Sequence, residues 1–317
     1  MLDARFRAVR QGSVAGIAPA KLNLFLEVIA HRADGYHELA TVFHEIDLAD
    51  ELTVELLPSG PTSDSATRRD DELVLLGLRI DGDPRQNLVL KAARAFREHV
   101  ASTPPVRITL DKRVPPGTGM GAGSADAAFV LSVLHHCCAP DRPLADLARA
   151  ARVVGADVGF FLVGGTAMGR GRGDLLEPLP VQPRFTFLVA MPPFPISTAH
   201  AYALVDLIAP RRDVCSFAEG MTKDAVQTAQ NRAAPTGCFN RLESAAIQLQ
   251  PQLGLALGSL REITEHPWVM TGSGSALFAP MVDEAEAATA VRTLLSRSAF
   301  DVRVVRSFDR HPGLADR

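Results

Sequence analysis

The sequence contains few of the features that mark secreted, membrane-bound or nucleic-acid-binding proteins. Its four cysteines, Cys137, Cys138, Cys215 and Cys238, have neither the spacing of a metal site nor the density of a disulfide framework, so we expect free thiols. No apolar run reaches the roughly eighteen residues of a membrane span, and no apolar segment follows the basic amino-terminal residues as in a secretory signal. A net charge of −3 gives no general attraction to nucleic acid or membranes. These absences predict a cytoplasmic protein.

Lysine and tyrosine are also scarce, with four and two residues in the chain. The lysines are Lys21, Lys91, Lys112 and Lys223, and the remaining basic residues are arginines, so each lysine is a candidate for a specific role. The hydrophobic fraction of 47% and the charged fraction of 22% are typical of a globular protein. A length of 317 residues accommodates two domains, and a proline-rich stretch predicts a boundary between residues 1–178 and 179–317.

Glycine is concentrated in one segment of the chain. Gly117, Gly119, Gly121 and Gly123 alternate directly before a helix-like run that starts at Ser124. Glycines allow the backbone to approach a ligand closely, and a helix amino-terminus attracts anions. The P-loop is excluded because no lysine precedes Ser124, and no second strand follows as a dinucleotide-binding unit requires. The segment therefore predicts a phosphate-binding loop of another kind, with a flexible surface loop as the alternative.

Two further segments each leave two interpretations open. The alternation of residues 14–29 predicts a strand with Lys21 and Asn23 on one face, and that face either lines a site or is solvated. Asp157 stands among apolar residues, where an unpaired carboxylate is costly, so it either caps a short helix or is a functional acid. Residues 164–173 predict a strand and turn, whose arginines contact phosphate or, as we favour, form a solvated hairpin tip.

The remaining hydrophobic pattern alternates helices and strands without an internal repeat. Residues 58–71 predict an exposed loop, and Asn87 and either Ser197 or Thr198 are predicted helix caps. Strands are predicted at 106–110, 185–190 and 302–307 and as a pair within 39–57, and helices at 87–100, 124–136, 144–154, 196–204, 240–249, 253–264 and 284–295.

Three motifs in a fixed order resemble the GHMP small-molecule kinases. They are Pro19-Ala-Lys-Leu-Asn-Leu24, the glycine segment from Pro115 to Ala128, and Thr271-Gly-Ser-Gly-Ser-Ala276. The resemblance implies an α+β fold of two domains, a ribosomal protein S5 domain 2-like amino-terminal domain and a ferredoxin-like carboxy-terminal domain, with the active site in the cleft between them. The block Asp34-Gly-Tyr-His37 resembles the branch whose second substrate is a cytidyl diphosphate sugar alcohol.

The resemblance also implies a role for individual residues. Asp157 matches the catalytic acid and Lys21 the lysine that faces it. The cofactors implied are ATP and Mg²⁺, and the chain is expected to be a monomer or weak homodimer that binds small molecules, not nucleic acid or a membrane. The implied ATP contacts are Asn87, Lys112, Pro115, Gly117, Thr118, Gly119, Met120, Gly121, Ala122, Gly123 and Ser124. The implied contacts to the second substrate are Asn23, Tyr36, His37, Thr198, Tyr202, Gly272 and Ser273.

Two positions depart from the family pattern, and two alternatives remain. Gly159 and Ser275 stand where the family usually has proline, which affects local rigidity and removes no functional group. Another GHMP kinase, of the homoserine or mevalonate type, is one alternative, and a non-catalytic nucleotide-binding regulator is the other. The Asp-Gly-Tyr-His block argues against the first, and the presence of both Lys21 and Asp157 argues against the second.

Overall fold

The computed structural model describes residues 4–10, 12–58, 70–179, 184–205, 212–228, 234–297 and 300–308. None of the helices in these ranges is long and apolar enough to cross a membrane. The described strands are β1 Phe6–Arg10, β2 Ser13–His31, β3 His37–Leu56, β4 Glu72–Gly77, β5 Val106–Lys112, β6 Thr166–Gly171, β7 Leu175–Pro178, β8 Thr186–Met191, β9 Phe239–Asn240, β10 Val269–Met270, β11 Leu277–Met281 and β12 Asp301–Arg306. The described helices are α1 Leu88–His99, α2 Ala122–Cys138, α3 Leu144–Val154, α4 Val158–Val163, α5 Thr198–Ala203, α6 Val214–Thr228, α7 Glu243–Leu249, α8 Pro251–Thr264 and α9 Glu284–Arg297.

Two long antiparallel strands, β2 and β3, form the centre of the first sheet. The sheet has the order β1-β2-β3-β5-β4, with β6 and β7 continuing from β3 and β9 pairing with β2. The prediction of a strand pair within residues 39–57 is wrong, since β3 is one continuous strand. The segment has no glycine or proline, and its turn-favouring Asp50 is instead held within the strand by hydrogen bonds from the backbone of Arg113 and Val114.

Strand β2 is buried on both of its faces, since Leu22 and Leu24 on one face and Lys21 and Asn23 on the other are at most 3% exposed. Val14 and Ala18 belong to the core formed with the helices α1 to α4, whereas Leu22 and Leu24 belong to a core shared with the second sheet. Its last part, Leu26 and Val28, reaches the core beneath α7 and α8. The polar side chains that alternate along β2 are therefore buried, and the solvated-face interpretation of Lys21 and Asn23 is wrong.

The second sheet is antiparallel, with the order β10-β11-β8-β12. It is linked to the first by β9, which pairs with β2 and whose Asn240 donates to the carbonyl of Met270 in β10. Next to β9, Nε and Nη2 of Arg241 each lie 2.7 Å from an oxygen of the buried Glu27 carboxylate in β2. The two sheets with their helices confirm the predicted α+β class. The change of sheet falls between β7 and β8, and the boundary at residue 178 stays a prediction.

The predicted helix boundaries are correct at several ends and wrong at others. Asn87 caps α1 by accepting a hydrogen bond from the backbone of Val89 at 3.1 Å, and Ser197 is the residue that caps α5. Helix α2 begins at Ala122, earlier than predicted, because Gly121 is the last residue outside helical geometry. Asn240 was predicted to be helical but ends β9. The predicted loop at 58–71 and the proline-rich boundary lie mostly outside the described residues.

Candidate active site

A single cleft of about 1120 Å³ is lined by all the residues that the resemblance assigns to the site. The lining residues form two groups, the glycine segment and the turn before β3 with α5, where the rings of His37 and Tyr202 lie 4.9 Å apart. We call these the glycine-loop end and the aromatic end. Lys21 and Asp157 line the same cleft.

Backbone geometry builds the glycine-loop end. Gly117, Gly119 and Gly121 have φ angles of 71°, 76° and 68°, in the left-handed region that favours glycine. A Cβ on Gly119 would stand 2.2 Å from the carbonyl oxygen of Thr271, which no real contact permits. The loop thus needs glycine at this position both for its conformation and for its approach to the turn behind it.

The amino-terminus of α2 faces the cleft without a side-chain cap. Gly121 occupies the cap position, and no side chain among the described residues hydrogen-bonds the backbone N–H groups of Ala122 and Gly123 in the first turn. Gly123 and Ser124 lie in that turn and line the cleft. An uncapped helix amino-terminus behind a glycine loop binds an anion through its N–H groups and dipole.

The turn formed by residues 271–275 supports the glycine loop from behind. The backbone N–H of Ala276 donates to the carbonyl of Thr118 at 3.1 Å. The buried Asn240 holds the turn by donating to the carbonyls of Met270 and Gly272 at 2.6 and 2.8 Å. The Ser275 hydroxyl donates to the carbonyl of Phe194 at 2.5 Å. The residue that stands where the family usually has proline therefore ties the turn to the segment before α5.

Lys21 connects the glycine loop to the predicted catalytic acid. Its side chain is 3% exposed, and its ammonium donates to Asn23 Oδ1 and, at 2.6 Å, to the carbonyl of Gly119. The same nitrogen lies 4.0 Å from Asp157 Oδ2. Burial lowers the pKa of Lys21, and the charge of Asp157 acts in the opposite direction.

Asp157 occupies the cap position of α4 without acting as its cap. Its side chain makes no capping hydrogen bond and is 35% exposed to the cleft. The structure therefore removes the capping interpretation. It leaves a carboxylate that is oriented towards the cleft and faces a lysine.

Lys112 lies in a buried ionic cluster beneath the glycine loop. Its ammonium donates to Asp50 and, at 3.1 Å, to Asp126 Oδ2, and all three side chains are at most 2% exposed. Asp50 also accepts hydrogen bonds from the backbone of Arg113 and Val114 at 2.6 and 2.8 Å. Burial, with a contribution from Asp50, raises the pKa of Asp126 to about 8 despite Lys112. The cluster joins β3, β5 and α2 around the start of the loop.

The aromatic end is built from side chains. The rings of His37 and Tyr202 lie 4.9 Å apart, and the guanidinium of Arg172 lies 4.8 Å from the centre of the Tyr36 ring. His37 Nε2 is buried and has no hydrogen-bond partner among the described residues. Burial lowers the pKa of His37, with a smaller contribution from His31, so the ring is neutral near pH 7.

Comparisons with known proteins show which family the chain belongs to. Residues 87–165 match the GHMP kinases N terminal domain. The chain is 35% identical to the 4-diphosphocytidyl-2-C-methyl-D-erythritol kinase of Thiobacillus denitrificans, over 93% of this chain and 95% of that one. A crystal structure of 4-(cytidine 5'-diphospho)-2C-methyl-D-erythritol kinase superposes with a TM-score of 0.72 at 32% identity, covering 93% of this chain and all of the other.

The chain belongs to the 4-diphosphocytidyl-2-C-methyl-D-erythritol kinase family. This membership confirms the predicted superfamily, its two-domain fold and the enzyme class, a phosphotransferase with an alcohol acceptor. A homoserine kinase from Cytophaga hutchinsonii has a TM-score of 0.68 at 16% identity, over 96% of this chain and 97% of that one, and shows the shared fold alone.

The sequence did not reveal every residue that builds this kinase site. Asp50, Asp126 and Asn240 hold the loop and its supporting turn, and their partners are distant in the chain. Asp126 stands in an apolar segment, but Asp50 and Asn240 have charged neighbours, so their sequence does not distinguish them from ordinary capping or surface residues. Arg172 was assigned to a solvated hairpin tip, but it lines the cleft, so the favoured interpretation of residues 164–173 is wrong for this arginine.

Proposed function

We propose that the chain transfers the γ-phosphoryl group of ATP to the 2-hydroxyl of 4-diphosphocytidyl-2-C-methyl-D-erythritol, in the non-mevalonate isoprenoid pathway. The observation that carries the proposal is the pair of Lys21 and Asp157, whose nitrogen and oxygen lie 4.0 Å apart between the glycine loop and the aromatic end. A base and a cation at the meeting point of two subsites suit transfer between two bound molecules.

The glycine-loop end binds the phosphates of ATP. The chain belongs to a kinase family, and its uncapped α2 amino-terminus with three left-handed glycines fits a phosphate group. Mg²⁺ would accompany ATP, since this ion is commonly held by phosphate oxygens, water and few protein groups. The hydroxyl of Ser124, in the first turn of α2, lines the cleft and is a protein oxygen that could help to hold it. When bound, the ion would neutralise charge on the phosphates.

Asp157 accepts the proton of the substrate hydroxyl as the new bond to the γ-phosphorus forms and the bond to ADP breaks. Lys21 has three N–H groups, of which two are donated to Asn23 and Gly119. The third is available to Asp157 and to the hydroxyl. Because Lys21 also holds a loop carbonyl, it sets the base and the phosphate loop in one geometry.

The aromatic end binds the cytidyl group. Tyr36 and Tyr202 offer rings for stacking on a pyrimidine, and the unpartnered Nε2 of His37 is suited to hydrogen-bond the base. Thr198 and Ser273, whose hydroxyl oxygens lie 2.7 Å apart, and Asn23 and Gly272 contact the rest of the substrate.

A panel assay tests the proposed function. ATP consumption is measured with the cytidyl substrate, homoserine and mevalonate, and the position of the new phosphate is determined by NMR. We expect turnover with the cytidyl substrate alone. Turnover with homoserine or mevalonate instead would support another GHMP kinase, and nucleotide binding without turnover on any of them would support a regulator. The cytoplasmic location and the monomeric or weakly dimeric state remain predictions.

A further inference from the structure

The cleft needs a positive charge that its two lysines do not provide. A cytidyl diphosphate ester carries negative charge on its diphosphate, between the base and the hydroxyl that is phosphorylated. Lys21 is bound by Asn23, Gly119 and Asp157, and Lys112 by two aspartates, and both side chains are at most 3% exposed. Neither ammonium can move to a diphosphate without abandoning a buried partner, which is costly.

Arg172 is the remaining permanently charged cation among the described residues that line the cleft. It lies in the turn between β6 and β7, and its side chain is 26% exposed. Its nearest carboxylate is Asp174, with Oδ2 3.6 Å from a guanidinium nitrogen, which is beyond hydrogen-bond distance. Asp174 is also close to Arg152, at 3.9 Å, so its charge is shared.

The contact with Tyr36 orients this guanidinium without using its N–H groups. The guanidinium carbon lies over the ring, 4.8 Å from its centre, within the range of a cation–π contact. A cation–π contact is not a hydrogen bond, so it leaves the five N–H donors of the arginine for a ligand. Tyr36 is 54% exposed, and its backbone N–H donates to Asp34 Oδ1 at 3.1 Å, which fixes the turn that carries it.

We propose that Arg172 binds the diphosphate of the cytidyl substrate and is held in place by Tyr36. The inference rests on the substrate class in the proposed function. A planar guanidinium suits two oxygens of a phosphate, and hydrogen bonds to a charged group are stronger than neutral ones. Arg172 is a substrate-binding residue in this assignment, and Tyr36 serves both the base and the arginine.

Ligands that differ in phosphate number test the assignment. The affinities of CDP, CMP and cytidine are measured by titration calorimetry with the ATP site saturated by a non-hydrolysable ATP analogue and Mg²⁺. Arg172→Gln should weaken CDP binding by about tenfold or more, as the loss of a charge-assisted hydrogen bond implies, and cytidine binding by about threefold or less. Arg172→Lys keeps the charge and should lie between the wild type and Arg172→Gln.

Arg170 offers a matched control. It precedes Arg172 by two residues, is exposed, contacts Cys215 Sγ at 3.1 Å and does not line the cleft. Arg170→Gln removes the same charge and should leave CDP affinity within about twofold, since exposed charges at a distance are screened. An equal loss of CDP binding in the two glutamine variants would overturn the assignment.

Three other results would also overturn it. Unchanged CDP binding in Arg172→Gln contradicts a diphosphate contact, and an equal loss for CDP and cytidine reduces Arg172 to a support for Tyr36. The wild type is also titrated with UDP; if it shows no preference for CDP over UDP, the cytidyl specificity of the proposed function fails, and the inference fails with it. The wild-type titration thus separates the failure of the substrate class from the failure of Arg172.

Discussion

The glycine-loop end and the aromatic end of the cleft are built in opposite ways. At the glycine-loop end the backbone lines the cleft, and its conformation is held by buried partners such as the turn at residues 271–275 and the Lys112 cluster. At the aromatic end side chains line the cleft, and Tyr36 and Arg172 are 54% and 26% exposed. A backbone site tolerates few substitutions, whereas a site made of exposed side chains can change residue by residue.

This difference fits the ligand that we propose for each end. Phosphate is common to every ATP-dependent kinase, so a rigid backbone loop serves all of them. The structural likeness to a homoserine kinase at 16% identity shows that the fold persists when most side chains change. Lys21 and Asp157 stand between the two ends and tie one to the other.

Substitution of Asp157, which with Lys21 joins the two ends of the cleft, should have the largest effect on turnover. Asp157→Asn keeps the volume of the side chain and removes its basicity, so we expect kcat to fall by about a hundred- to ten-thousandfold. ATP affinity and thermal stability should be close to wild type, because the carboxylate makes no capping bond in α4. Single-turnover kinetics and nucleotide titration measure the two quantities. Turnover within about threefold of wild type would remove Asp157 from the role of base.

A substitution in the glycine loop should lower both stability and ATP affinity. Gly119→Ala forces a left-handed residue to carry a Cβ, at a strain of about 1–2 kcal/mol before the contact with Thr271 is counted. We expect a lower melting temperature and ATP binding at least about tenfold weaker.

Gly258 is the control for this substitution. It lies in α8, and a Cβ there would have no neighbour within 4 Å. Gly258→Ala should keep ATP binding and raise stability slightly, because glycine costs about 0.5–1 kcal/mol inside a helix. Wild-type ATP affinity in Gly119→Ala would contradict the backbone nature of this end.

A substitution at the aromatic end should remove a single contact to the cytidyl substrate and leave ATP binding unchanged. Tyr202→Ala removes a ring that stacks near His37, and stacking on one base is worth about 1–3 kcal/mol, so KM for the cytidyl substrate should rise about five- to a hundredfold. Tyr202→Phe keeps the ring and should stay within about threefold of wild type. KM for ATP should change little in both variants. An equal rise for the two substrates would show that Tyr202 supports the whole cleft and not the cytidyl subsite.

The smallest expected effect is a shift in the pH dependence of kcat that comes from Lys21. The pKa of Lys21 is lowered by burial, so the residue loses its proton at a lower pH than an exposed lysine does, and kcat should decline on the alkaline side earlier than an ordinary lysine predicts. Lys21→Arg keeps its charge and should shift this decline to higher pH. Lys91→Arg, in α1 and outside the cleft, should leave the profile unchanged. A decline that persists in Lys21→Arg would assign it to another group.

Local patterns predicted the elements of the site better than their contacts. The glycine spacing indicated a phosphate loop, and the alternation of β2 placed Lys21 and Asn23 on one face. The alternation did not show what covers that face, because the groups that meet Lys21, the carbonyl of Gly119 and the carboxylate of Asp157, come from residues far along the chain. For the same reason β3 was predicted as two strands and Asn240 as part of a helix, since partners distant in sequence decide both.

The sequence by itself determined the family, the phosphate loop and the candidates Lys21, Asp157, Tyr36 and His37, since these depend on residue type and spacing. Where the sequence left two interpretations open, as for Lys21, Asp157 and Arg172, the tertiary structure decided between them. Asp157 is a cleft carboxylate and not a helix cap because α4 begins without its side chain and Lys21 stands 4.0 Å away. Arg172 lines the cleft because the turn after β6 brings it against Tyr36, a contact between residues more than a hundred positions apart.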